Sequence, residues 1–360
     1  MLMLTPRRAM TLGSAAVFVF SVGLFAQNGA QQNAQPPTGQ RKLSDTEKKE
    51  IQTVLKIVDD VVAGQPAPND LSLTWAHEDL LKAQGNKQYV PFSVTLDPSK
   101  VAEGKVSLYW RVVSKDAPPP PAADPKKKDD KAAKPEYAYE DLNVVTLPTG
   151  QPGPVRVSRS FTVSPGSYDV FVVAKEPTPA KAPKNAPPPK VSLVRQTVAV
   201  PDLWNGELNT SSVIIAERID PLPAPLTAQQ QGERPYALGT MEIVPALSTK
   251  FSKKNELSTF LLIYNAKVDA ANKPDVSVEY NFYAKAAGAE KFFNKTNPQN
   301  LNAQTLPPQF DFAAGHQLQS GQAVPLASFP EGDYRLEIKV TDKIANKTLT
   351  RDVNFSVSGS

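Results

Sequence analysis

The hydrophobic pattern changes period once along this chain. From Ser44 to about Ala63, Ile51, Val54, Leu55, Val58, Val61 and Val62 recur at helical spacing, Ser44 and Glu47 form a capping box, and Gly64 with Pro66 ends the run. This predicts one amphipathic helix over 44–64, with an apolar stripe that needs a surface to cover. A weaker helical pattern falls near Trp75 to Gln84. Beyond it the period is two. Alternating segments near 89–96, 105–114, 138–147, 155–163, 167–174 and 191–200, separated by turn residues, read as short antiparallel strands.

The alternating region is written twice. Lys105-Val-Ser-Leu-Tyr-Trp-Arg-Val-Val-Ser-Lys115 matches Asp275-Val-Ser-Val-Glu-Tyr-Asn-Phe-Tyr-Ala-Lys285, and the Pro-Gly turn before Tyr168 matches the turn before Tyr334. A return strand closes each copy, at Val191 to Val200 and at Leu349 to Val357. The expected fold class is mainly β: two tandem antiparallel, immunoglobulin-like β-sandwich domains at 69–202 and 203–360, preceded by the helix. At both turns glycine (Gly166, Gly332) is expected to supply positive φ, with the tyrosine packed behind it.

The two copies differ on one face. Outward positions of the second carry Glu279, Tyr283, Glu337 and Lys339, whereas the first has Tyr109, Val113, Phe171 and Val173 there. An exposed apolar patch is unfavourable by about 25 cal/mol per Å². The first sheet is therefore expected to be covered on both faces, by the 44–64 helix, by the second domain, or by a separate protein.

Composition narrows the chemistry. Arg7 and Arg8 precede an apolar stretch from Ala9 to Phe25, shorter than the ~20 residues of a comfortable membrane span. That reads as a signal peptide over 1–26 followed by a disordered linker over 27–43, and implies a periplasmic or extracellular protein of a bacterial envelope. Contact with the membrane would then come only through an uncleaved signal segment. Cysteine is absent, which removes disulfides, thiolate catalysis and cysteine-ligated metals. Net charge is +4 and dispersed, too weak a basis for nucleic-acid binding. Proline, 35 of 360 residues, is concentrated in Lys/Pro/Ala-rich loops at 115–136 and 175–190, which read as solvated hairpin tips.

The Pro-Gly-x-Tyr turn leading into an alternating strand resembles immunoglobulin-like and fibronectin-type sandwiches, in which a tyrosine at that corner bonds back to the loop. Tyr89-Val-Pro-Phe-Ser-Val-Thr-Leu-Asp97, Ser211-Ser-Val-Ile-Ile-Ala216 and the segment Phe251 to Asn265 resemble the non-catalytic β-rich regions of secreted bacterial GWxTD-domain and von Willebrand A-related proteins. The chain has no GWxTD sequence and no D-x-S-x-S motif, so the resemblance implies a fold and carries over no ligand chemistry.

No P-loop, G-x-S-x-G, H-E-x-x-H or G-x-G-x-x-G sequence occurs. His77 and His316 stand far apart, and the adjacent acids Glu78-Asp79 and Glu140-Asp141 point to opposite faces of a strand. The run Asp269 to Asp275 falls short of a calcium loop in oxygen ligands. No catalytic residue, metal site or cofactor is expected. Trp110 alternates with core residues, whereas Trp204, Phe292 and Phe293 are the aromatics available to a ligand. These residues favour a non-enzymatic interaction or scaffold protein whose partner is another envelope or extracellular protein. A carbohydrate-binding accessory protein with a polysaccharide ligand, and a hydrolase with acids gathered at the domain junction, stay open as alternatives.

Overall fold

The computed structural model describes residues 45–116, 137–148, 153–178, 187–286 and 289–359. The export segment 1–26, the linker 27–43, the Ser44 cap and most of the loops at 115–136 and 175–190 lie outside the described residues. Among the described residues strands hold 53% and helices 8%, which makes the chain mainly β. It divides into two compact units: one runs to Asp202 and also takes in Ala228–Pro235, and the other comprises Leu203–Thr227 and Tyr236 onward.

In the first unit, α1 (Asp45–Val62) precedes eight strands: β1 (Thr74–Glu78), β2 (Leu81–Lys82), β3 (Gln88–Leu96), β4 (Lys105–Ser114), β5 (Tyr139–Thr146), β6 (Val155–Val163), β7 (Gly166–Lys175) and β8 (Val191–Val200). One sheet has the order β5-β4-β7-β8, and the other gathers β1, β2 and β6 around β3. Alternate side chains from the two sheets meet in one core, Val90, Phe92, Val94 and Leu96 against Val106, Leu108, Trp110, Val112, Val170 and Val172. The helix expected near Trp75 to Gln84 is instead the strands β1 and β2, both paired with β3. Trp75 decides this locally, because its ring stacks on Phe92 with centroids 4.9 Å apart and planes 7° apart. A bulge between Trp75 and His77 breaks strict alternation, which is why the segment hid its period.

The unit takes in one segment from further along the chain. Ala228–Pro235, including the short helix α2 (Ala228–Glu233), belongs here and not with the rest of 203–360. Tyr89 anchors it by donating a hydrogen bond from Oη to the Pro235 carbonyl at 3.0 Å.

The second unit contains β9 (Asn209–Thr210), β10 (Ile214–Pro221), β11 (Ala237–Leu238), β12 (Met241–Pro245), β13 (Lys250–Ser252), β14 (Glu256–Tyr264), β15 (Val276–Ala286), β16 (Ala289–Lys295), β17 (Gln299–Leu301), β18 (Leu318–Pro325), β19 (Gly332–Asp342) and β20 (Lys347–Ser358). Its sheets run β11-β12-β10-β14-β18, with β9 on β14, and β13-β20-β19-β15-β16, with β17 on β15. The matched sequences occupy matched places: β4 lies between β5 and β7 as β15 lies between β16 and β19, and β8 and β20 are the return strands. Val276, Val278, Tyr280 and Phe282 of β15 and Tyr334, Leu336, Ile338 and Val340 of β19 face Leu257, Leu261 and Ile263 of β14 in the core.

The two corners are closed in the same way. Tyr168 Oη donates to the Ser164 carbonyl at 2.8 Å, and Tyr334 Oη donates to the Pro330 carbonyl at 2.7 Å, each four residues back. Gly166 and Gly332 hold φ of 155° and 148° there, values that a side chain would oppose.

Candidate functional site

The apolar outward face of the first unit lies under α1. Val54 and Val58 pack on Tyr109, Phe171, Val173 and Leu193, with Leu55, Ile57, Val61 and Val113 at the margin. Charges fix the helix on both sides of this contact. Lys175 Nζ donates to Glu50 Oε1 at 2.6 Å, and Arg111 Nη1 donates to Asp59 Oδ1 at 2.8 Å. Arg111 also bonds Tyr109 Oη through Nε and lies over the Tyr137 ring, 3.9 Å from its centroid, while Tyr109 Oη donates to Glu140. Tyr109, Val113, Phe171 and Val173 are thus a packing face already filled from within the chain. Val62, counted in the stripe from its spacing, is 60% exposed, and Ile57, which the spacing left out, takes part in the contact.

Among the described residues, no helix covers the equivalent face of the second unit. On it, Arg335 donates to Glu290, Glu337 and Asp352 at 2.6–3.2 Å and lies 4.4 Å from the Tyr283 ring centroid. Desolvation pulls the guanidinium pKa down, but the hydrogen bonds to Asp352, Glu290 and Glu337 outweigh it and leave the group above its ordinary value. Phe292 meets Tyr283 edge to face, centroids 5.9 Å apart and planes at 80°, and stays 53% exposed. Its neighbour Phe293 turns the other way, into the core against Phe329 at 4.9 Å and Tyr334 at 5.5 Å. This corrects the reading of Phe293 as an available aromatic: consecutive residues of β16 point to opposite sides, so only one of the pair can face solvent. Trp204, 37% exposed, lies in the turn that follows Asp202, beside the buried Leu203.

A polar cluster sits at the edge of the first sandwich where β5 passes β6. Arg159 donates from Nε to Asn143 Oδ1 at 2.9 Å, and Asp141 accepts from the Leu142 backbone at 2.7 Å. Burial raises the Asp141 carboxyl above its usual range and lowers the Arg159 guanidinium, with Glu233 and Asp141 opposing the latter. The corresponding edge of the second unit is closed by neutral groups, Tyr280 Oη with Ser320 Oγ at 2.7 Å and Ser320 Oγ with Gln299 Oε1 at 2.6 Å. Both sets satisfy polar groups at a sandwich edge, and neither aligns a nucleophile with a base.

The remaining candidates have local partners. Glu78 accepts from Trp75 Nε1 at 2.6 Å, and Glu140 from Tyr109, so the adjacent acids diverge as the strand period requires. In the run 269–275, Asp269 Oδ1 accepts from the backbone of Ala271 and Lys273, while Lys273 Nζ donates to the carbonyls of Pro308 and Phe310. The Asp269 carboxylate is thus engaged by the backbone of its own turn, and Asp275 pairs with Lys343 at 3.2 Å. Among the described residues no cluster of three or more His, Cys, Asp or Glu side chains could hold a metal, and no helix is long and apolar enough to cross a membrane.

No family model matches the chain, and no curated protein matches it. Solved structures overlap it weakly. Salmonella alpha-2-macroglobulin reacted with methylamine is 14% identical over 82% of this chain and 17% of that one, with a TM-score of 0.20. The native conformation of E. coli alpha-2-macroglobulin is 12% identical over 82% and 16%, with a TM-score of 0.21. A chain described as pT26-6p is 9% identical over 86% and 70%, with a TM-score of 0.19. This chain spans about a sixth of the length of those macroglobulins. At such scores the overlaps assign nothing to this chain, and no match supports the GWxTD or von Willebrand A resemblance.

His77 gives this unit an acid response. Burial, with Arg156 adding to it, lowers its pKa to about 4, while the Asp79 carboxylate at 3.8 Å is beyond hydrogen-bond reach. The folded state therefore prefers the neutral imidazole. The stability linked to that preference is complete above the unfolded value near 6.5 and is lost as pH falls towards 4. Urea unfolding across that interval should show a loss of roughly 2–3 kcal/mol, largely absent in His77→Gln. Equal slopes in the two proteins would assign the acid response elsewhere.

Proposed function

We propose that this is a non-enzymatic interaction or scaffold protein, exported to the bacterial envelope, that engages another envelope or extracellular protein through the outward sheet of its second unit. The observation that carries the reading is the corner formed by Tyr283, Phe292 and Arg335. Aromatic and arginine side chains dominate the energetics of protein interfaces, and an arginine already held by Glu290, Glu337 and Asp352 loses little freedom on docking. Phe292 supplies the exposed apolar centre, with a polar rim around it. Export is supported by the Arg7-Arg8 and Ala9 to Phe25 pattern. The reading needs no cofactor.

A photo-reactive residue at Lys285, on the outward row of β15 beside Tyr283, in cells of the source organism should give one discrete protein adduct, and the same probe at exposed Leu247 should not. Adding Phe292→Ala should weaken the contact by about 2 kcal/mol, a more than tenfold fall in adduct. Identical adducts at both positions, or retention of the purified chain on polysaccharide with no protein adduct, would remove the support for a protein partner.

A further inference from the structure

Asn205-Gly206 is one of two Asn-Gly dipeptides in the chain; the other, Asn28-Gly29, lies outside the described residues. Asn205 and Gly206 are both exposed, in the turn between Leu203 and β9. Asn205 Oδ1 accepts the Glu207 backbone N–H at 2.9 Å. That bond folds the side-chain amide back over the peptide that follows it. Gly206 has φ of +81°, nothing lies within 4 Å of the place a Cβ would occupy, and its N–H has no hydrogen-bond partner among the described residues. A carbonyl polarised by a hydrogen-bond donor thus sits beside an unhindered backbone nitrogen that is not otherwise engaged.

We propose that Asn205 is a site of spontaneous covalent modification, in which the Gly206 backbone nitrogen closes on the Asn205 side chain to form a succinimide. The Gly206 nitrogen gives its proton to solvent base and attacks Cγ. The N–Cγ bond forms, the Cγ–Nδ2 bond breaks, and Nδ2 takes a proton from water and leaves as ammonia. Negative charge that builds on Oδ1 during the addition is met by the Glu207 N–H, an arrangement that stabilises such an oxyanion. Water then opens the ring at either carbonyl, giving an aspartyl or an isoaspartyl residue.

The position gives the change a structural consequence. Asn265 Nδ2 donates to the Leu203 carbonyl at 3.1 Å and to the Glu207 carbonyl at 2.6 Å, anchoring the turn on both sides of the dipeptide. An isoaspartyl linkage lengthens the backbone between those two anchors. Either product places a new carboxylate next to Trp204 and close to the ion pair of Glu207 with Lys347.

The test is incubation of the full mature chain in mildly alkaline buffer, with peptide mapping by mass spectrometry and an enzymatic assay for isoaspartate. The expected result is loss of ammonia and then gain of water at the 205–206 peptide, ahead of every other described asparagine, at a rate within about threefold of that in the urea-unfolded chain and slower in mildly acidic buffer. Asn205→Gln should abolish it, and Gly206→Ala should slow it about tenfold by hindering the attack. A native rate more than tenfold below the unfolded rate, modification that maps to other asparagines with Asn205 intact, or a rate indifferent to pH would each overturn the proposal.

Discussion

Deletion of residues 41–64 is expected to lower the unfolding free energy of the first unit by roughly 5 kcal/mol and its melting temperature by about 10 °C or more, and to raise hydrophobic-dye binding sharply. The reason is the face that α1 covers. Tyr109, Phe171, Val173 and Leu193 are almost fully buried beneath Val54 and Val58, and each such side chain represents roughly 1.5–3 kcal/mol of transfer free energy, an upper figure because the unfolded chain already hides some of it. The charges add to the effect. Without Glu50, Lys175 keeps, among the described residues, the Glu176 carbonyl and Thr178 Oγ1 as acceptors in a nearly dry site, and without Asp59 the buried Arg111 loses its carboxylate partner. The point variant Val58→Asp should act in the same direction with the chain length unchanged. Calorimetry and dye titration that show no difference from the parent would mean that the sheet face is stable uncovered.

Trp110→Ala should destabilise the same unit by about 4 kcal/mol, read as a lower midpoint in urea with an unchanged slope. Trp110 is buried at the centre of the sandwich, with Phe92 at 6.2 Å in an edge-to-face contact and Tyr139 stacked at 6.4 Å. Its Nε1 donates to the Ser160 carbonyl at 3.1 Å, so truncation opens a cavity and also leaves a buried acceptor without that donor. Trp75 and Trp204 remain to report unfolding by fluorescence. A loss below about 1 kcal/mol would show that the neighbouring rings collapse into the space.

Much of this fold is legible in the alternation of side chains. The rows Val106, Leu108, Trp110, Val112 and Val276, Val278, Tyr280, Phe282 are buried as a period of two demands, because a strand between two layers has one dry side. The turns before Tyr168 and Tyr334 are equally local, requiring a glycine with positive φ and a phenol that reaches four residues back. Trp75 to Gln84 was less legible because a bulge and two short strands leave too few residues to establish a period, and pairing with β3 settled their conformation. The attachment of Ala228–Pro235 to the first unit has no sequence signal, since it rests on contacts with residues far away in the chain, among them the hydrogen bond from Tyr89 and the burial of Gln231.

The candidate surfaces divide along the same line. Sequence by itself determined that Tyr109, Val113, Phe171 and Val173 need a cover and that α1 has a stripe with no local partner, while it offered Phe292 and Phe293 together as available aromatics. Only the tertiary structure decided that the stripe and the face belong together, that Phe292 is the exposed ring, and that Arg335 draws three carboxylates from three different strands beside it. Burial and alternation are properties of short stretches, written in the order of residues. Which apolar surface meets which, and which distant charges converge, depends on contacts between segments far apart in the chain, and those exist only once the sheets have formed.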